Sequence, residues 1–135
     1  MAQLTLICYA KCVPQGSSSA FIKNGRAIVT SANKKLKPFR KELAAAAIRA
    51  MRERGFSGLL AAKGEAVGVC LDVYFEKPKS TRRSHCTVKP DLDKLARSCF
   101  DAMTGIVFFD DSQVVELSAK KHYGPKRVII SVYTL

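Results

Sequence analysis

The chain has 135 residues, 47% of them hydrophobic, enough for one domain around a single core and too few for two. Lysine and arginine outnumber aspartate and glutamate 23 to 11, a formal net charge of +12 that favours a polyanionic partner, nucleic acid first. No stretch approaches the ~20 consecutive apolar residues of a membrane-spanning helix, and no lipidation signal is evident. The apolar part of MAQLTLICYAKC is too short for a secretory leader, so no membrane partner is expected and cytoplasmic residence is.

Leu4, Leu6 and Cys8 alternate with Thr5, Ile7 and Tyr9, the period of two that a strand requires. Residues 13–19, VPQGSSS, read as a flexible loop, and AFIKNGRAIVT after them sets Asn24-Gly25 between two β-prone arms, a hairpin signal. Ser31 or Asn33 stands ready to cap a helix running through PFRKELAAAAIRAMRER to Gly55. Pro38 is tolerated in its first turn, and Leu43, Ala47, Ala50 and Met51 form its packing stripe. From Glu65 to Glu76, Val67, Val69, Leu71, Val73 and Phe75 take one face while Ala66, Gly68, Cys70, Asp72 and Tyr74 take the other, a strand that belongs well inside a sheet. Residues 77–90, KPKSTRRSHCTVKP, are strongly basic and predicted to become ordered on binding. Leu92, Leu95, Ala96, Cys99, Phe100 and Met103 recur at steps of three and four, an amphipathic helix ended by Gly105. Two closing strands, Gln113 to about His122 and Arg127 to Tyr133, are joined by a turn at Tyr123-Gly124-Pro125. The expected fold is α+β: a single domain over 1–135 with a mixed β-sheet of about four strands, a hairpin and two main helices.

The five cysteines, Cys8, Cys12, Cys70, Cys86 and Cys99, are an odd set with no repeated CxxC pairing, which points to free thiols rather than to disulfides or structural zinc. His85 and His122 are the only histidines, and nothing in their spacing fixes either beside an acid as a general base. Asp72 reads as a sheet residue rather than a metal ligand.

Chemistry concentrates in KPDLDKLARSCFDAMTGIVFFDDSQV, residues 89–114. Asp91 and Asp93 open the second helix, where Asp91 can cap the first turn and both carboxylates gain from the helix dipole. Asp110 and Asp111 follow on the loop beyond its far end, so three or more carboxylates converge if that loop folds back. At an effective dielectric near 20, two such charges about 4 Å apart repel by roughly 4 kcal/mol, so a cluster must protonate or bind a cation. Mg²⁺, a hard ion that prefers oxygen ligands, resolves the conflict. Asp93, Lys94, Arg97 and Asp101 share the polar face of this helix beside the cationic loop. Carboxylates flanked by cations are what metal-assisted phosphodiester hydrolysis needs.

The segment DLDKLARSCFDAMTGIVFFDDSQV resembles the core motif of the RusA-type Holliday junction resolvases: DLDN, an amphipathic helix with FDAL, then a DDxQV step into a strand. The likeness extends loosely to the whole chain. The resemblance implies that Asp91, Asp93 and Asp111 bind the catalytic metal, Mg²⁺ or alternatively Mn²⁺, with Asp110 ranked below Asp111. Lys94 replaces the family's asparagine and Arg97 its lysine. Arg97, with Lys94 second, is then the phosphate-holding cation, a role arginine keeps better than acid catalysis. Ser17, Ser18 and Ser19 stand where many relatives carry arginines, with Lys23 and Arg26 as possible substitutes. Lys79, Arg82, Arg83, Lys89 and Lys94 are the expected DNA-binding residues. The implied partner is a four-way junction and the implied assembly a homodimer, since two opposed strands must be nicked. The alternatives are a nuclease of other branched DNA and a DNA-binding module without catalysis. An RNA-binding reading lacks any RNP-like aromatic pattern.

Overall fold

The computed structural model describes residues 2–16, 18–31 and 34–135. Along them run β1 (Gln3–Cys8), β2 (Ser18–Lys23), β3 (Arg26–Ser31), α1 (Leu36–Glu53), β4 (Val67–Phe75), α2 (Leu92–Met103), a short 3₁₀ turn (Asp111–Gln113), β5 (Val114–Tyr123) and β6 (Arg127–Thr134). The fold is α+β, as the residue pattern predicts: two helices, a mixed four-stranded sheet and a separate antiparallel hairpin of β2 and β3. Asn24 and Gly25 turn that hairpin with φ of 52° and 73°, the two positive values that let a tight turn match the twist of its arms.

In the sheet the order is β1-β6-β4-β5, with β6 antiparallel to both neighbours and β5 parallel to β4. The two closing strands are therefore not partners. The chain leaves β5 at Tyr123, crosses the end of β4 where the Gly124 N–H donates to the Phe75 carbonyl (2.9 Å), and returns as β6 on the other side. Period-two patterning fixes which face a residue takes and leaves open which strand lies beside it.

Alternation along β4 buries Val67, Val69, Leu71, Val73 and Phe75 against the helices. Leu4 and Leu6 of β1 and Val128, Ile130 and Val132 of β6 extend this floor. Leu43, Ala47 and Met51 of α1 and Leu95, Cys99 and Met103 of α2 close over it. Truncating a fully buried leucine such as Leu95 costs about 2–5 kcal/mol in comparable cores. Among the described residues the opposite face carries no helix. There Gly68 lets the Tyr133 ring lie across β4, since a Cβ at that position would overlap the ring. The Tyr133 hydroxyl reaches on to donate to Glu116 of β5 (3.0 Å).

Two helix boundaries test the capping expectations. α1 begins after Lys35, whose side chain makes no capping bond. Ser31 belongs to β3 as the ladder partner of Ser18, ahead of the Lys35 position at which the helix starts, and Asn33 lies outside the described residues. α2 ends where expected: Thr104 donates through N–H and hydroxyl to the Phe100 carbonyl, and Gly105 follows with φ of 83°. All five cysteines are free thiols. Cys12 and Cys99 meet in the core at 3.9 Å, and this sulfur contact, followed by burial, pushes the Cys99 thiol well above its usual range.

Candidate active site

Asp91 occupies the N-cap of α2 with an extended backbone, yet its carboxylate makes no capping hydrogen bond. It lies instead 3.9 Å from the Lys94 ammonium, a loose, exposed pair of the kind worth little to stability. Asp93 in the first turn is exposed, and among the described residues it has neither a hydrogen bond nor an ion pair. Both acids stand at the N-terminal end of the helix, where its unpaired N–H groups point. Arg97, one turn further along the same face, is also exposed and unpaired among the described residues. Asp101, the last acid of this face, is accounted for by Arg40 of α1 at 3.4 Å. The loop 9–16 runs beside this turn, where the Gln15 N–H donates to the Lys94 carbonyl (3.0 Å).

The approach to α2 is tied down from β5. Lys121 sits on the helix-facing side of β5, in register with the buried Val73. Its ammonium donates to the carbonyls of Val88 (2.8 Å) and Pro90 (3.0 Å), so a cation lies directly behind the residue before Asp91. The basic segment 77–90 is held at further points. Arg83 Nε donates to the Tyr123 hydroxyl at 2.7 Å, the Lys77 ammonium lies 5.9 Å from the Tyr123 ring centre, and Cys86 is buried. The expectation of a segment ordered only on binding is therefore corrected: side chains of β5 anchor it in the free protein. Lys79, Arg82 and Lys89 remain exposed and without partners among the described residues.

Asp110 and Asp111 are used differently from each other. Asp110 caps the 3₁₀ turn: its carboxylate accepts from the Ser112 N–H (3.0 Å), while its own N–H donates to Gln113 Oε1 (2.8 Å). The hydrogen bonds from Ser112 hold the Asp110 carboxyl below its ordinary value. Gln113, itself buried, also donates to the carbonyls of Ala62 (2.7 Å) and Glu65 (2.8 Å). The glutamine of the DDxQV step thus fastens the loop before β4 to the start of β5. Asp111, half-buried, has no partner among the described residues.

Within one chain the loop after α2 does not fold back to bring these acids together. Asp91 and Asp93 open α2, whereas Asp111 follows its far end, and a 12-residue helix is roughly 18 Å long. Strand β5 gives the same separation: Lys121 meets Pro90 near its end, and the seven residue steps back to Val114 span about 23 Å. Accordingly, no group of three or more histidine, cysteine, aspartate or glutamate side chains among the described residues is close enough to hold a metal ion. The donors themselves, three carboxylates not engaged in the core, suit a hard divalent ion.

One further constellation was not legible in the sequence. On the helix-free face, His122 Nε2 and Asp72 Oδ1 are 2.7 Å apart, His122 stacks on Tyr74 at 4.6 Å, and the Arg127 guanidinium covers Tyr74 at 3.8 Å. Parallel pairing puts His122 beside Tyr74 and Lys120 beside Asp72, a register that no spacing along the chain reveals. Lys121 left a faint signal, a lysine on the apolar side of a strand. Asp72 is thus occupied within the sheet, as its alternation suggested.

Residues 12–133 match the family model of endodeoxyribonuclease RusA, and the chain belongs to that family. Membership implies a Holliday junction endonuclease, an enzyme that cuts DNA and binds branched junctions. YqaN of Bacillus subtilis (strain 168), an uncharacterised protein, is 29% identical over 127 residues, covering 85% of this chain and 84% of its own length. No helix among the described residues is long and apolar enough to cross a membrane.

Proposed function

We propose that this protein is a Mg²⁺-dependent resolvase of four-way junctions, active as a twofold dimer and nicking opposed strands to leave 5′-phosphate and 3′-hydroxyl ends. The observation that carries the reading is the state of the family's acids. Asp91 sits at a helix N-cap without capping, and Asp93 and Asp111 are unpaired among the described residues. Carboxylates that accept no hydrogen bond amid this much positive charge are poised for a cation and a phosphate. Asp91, Asp93 and Asp111 would hold Mg²⁺, or Mn²⁺ in its place. The bound ion supplies Lewis-acid stabilisation of the charge that develops on the scissile phosphate and lowers the pKa of a water. Arg97, exposed on the same helical face, steadies a phosphate oxygen, with Lys94 beside it. Lys79, Arg82, Arg83 and Lys89 follow the neighbouring backbone by counterion release.

Two copies supply what one chain separates. β5 is an edge strand with Val115 and Leu117 exposed, a surface open to further pairing. Identical strands related by a twofold axis normal to them run antiparallel, so pairing two copies of β5 sets the start of one against the end of the other. That brings Asp111 of one copy toward Asp91 and Asp93 of the other, and it does so twice.

The test is subunit mixing on a synthetic mobile junction in Mg²⁺. Asp93→Asn and Asp111→Asn are each expected to be inactive alone. Refolded together, they form mixed dimers in which one of the two sites is intact, and nicking returns. Mixtures as dead as their parents, with mixed dimers demonstrated, would rule out the shared site. Full activity of both single variants would rule out Asp93 and Asp111 as the metal-holding acids, and no nicking by the wild type would rule out the nuclease assignment.

A further inference from the structure

We infer that the hollow beside Asp91 is a binding site for a single unpaired nucleotide of the branched substrate. This rests on the junction-nuclease reading above and adds to it a subsite for one base and its phosphate.

The hollow has a volume of about 410 Å³, within the range of pockets that enclose small organic ligands. It opens where the parallel strands β4 and β5 both end, at Phe75 and Tyr123. The carboxyl ends of parallel strands are where open α/β sheets commonly place ligands. Pro90, the residue before Asp91, forms part of its wall, so a group held there lies one residue from the acids.

Its lining has two characters. Phe75, Val88, Pro90 and the ring of Tyr123 give it apolar surfaces, while Lys11, Arg83, Lys89 and Lys126 set four cations around it against one carboxylate, Glu76. A site for phosphate alone has no use for an aromatic and aliphatic wall, and a site for a neutral apolar ligand has no use for four cations. A planar base carrying a phosphate satisfies both, by stacking on an aromatic ring and by charge. In continuous duplex every base is stacked and paired, whereas a branch point offers bases that can be drawn out at reduced cost. The walls are also fixed in advance: Arg83 is held by the Tyr123 hydroxyl, and the Val88–Pro90 segment by Lys121. Tyr123 lines an adjoining shallow hollow with Lys77 and Pro125 as well, so its ring is the partition on which a base can lie.

The experiment uses the whole protein in EDTA, where no cleavage occurs. Resonances of Val88, Phe75 and Tyr123 are followed by NMR during titration with deoxyadenosine 5′-monophosphate, inorganic phosphate or deoxyadenosine. The monophosphate is expected to shift all three residues, with apparent affinity at least fivefold tighter than either half. Tyr123→Leu should lower that affinity at least fivefold, and Tyr123→Phe, which keeps the ring, should restore most of it. Equal shifts with inorganic phosphate, or shifts confined to exposed lysines, would overturn the subsite, and the wild-type titration gives this answer even if the leucine variant does not fold. A second arm replaces each nucleotide flanking the cut in a junction with an abasic residue, and one of the two positions should slow nicking at least tenfold. Insensitivity at both positions would overturn the subsite while the nuclease reading stands. No nicking of any junction in Mg²⁺ would end the nuclease reading, and the titration would still decide the hollow.

Discussion

The two acid pairs flanking α2 look alike in sequence and behave differently in the fold. At the N-terminal end, neither Asp91 nor Asp93 accepts a hydrogen bond from the backbone turn it adjoins. At the other end, Asp110 closes a reciprocal cap with Gln113 while its neighbour Asp111 is left over. An aspartate at a helix or turn start usually stabilises that start. Asp110 does so. The others make no such capping hydrogen bond, and such departures from local consistency tend to mark functional positions.

The sharpest way to break this comparison is to neutralise each acid in turn and read cleavage and stability together. Asp91→Asn and Asp93→Asn are expected to lower junction cleavage by about 10²-fold or more, as loss of charge stabilisation at a reacting phosphate does. Their melting temperatures should remain within a degree or two of wild type, about the size of effect expected from surface changes. Asp110→Asn should retain most of the activity. A large loss of activity at Asp110 with none at Asp93 would reverse the assignment.

A second, smaller effect belongs to Gln113. Its side chain meets three backbone groups, those of Ala62, Glu65 and Asp110. Gln113→Ala strands buried polar atoms at a cost of about 1–3 kcal/mol, measurable as a lower urea midpoint. An unchanged midpoint would mean that the DDxQV glutamine is not a fastener.

The smallest effect is the pH dependence of the Asp110 cap. Because its hydrogen bonds hold this carboxyl below its ordinary value of 3.8, the folded state binds the proton less readily than the unfolded one. The stabilisation is therefore fully present above that value and fades as the pH falls through the lowered folded value. The stability difference between wild type and Asp110→Asn should be level near neutrality and shrink below about pH 4. A difference that grows with acidity would contradict the cap.

Much of this was legible from residue order because the signals were local. α2 spans Leu92–Met103, the stretch its apolar periodicity marks out, and β4 shows the alternation expected of an interior strand. What could not be read was long-range. No spacing indicates that β6 inserts between β1 and β4 or that β5 runs parallel to β4. The Lys121 anchor on the basic segment and the Asp72–His122 contact follow from that pairing. The expected convergence of Asp91, Asp93 and Asp111 failed within one chain for a simple reason: a helix is a rigid spacer, and the acids were read from its two ends.

The placement of β6 also bears on how the molecule is made. The strand that hydrogen-bonds both β1 and β4 is the last in chain order, so during synthesis those two strands wait with their edges bare until residues 127–134 emerge. β4 and β5 can pair earlier, but joining β1 to them is a late event with large sequence separations, slow by the usual relation between topology and rate. Nascent chains stalled before β6 should lean on holding chaperones and be readily degraded.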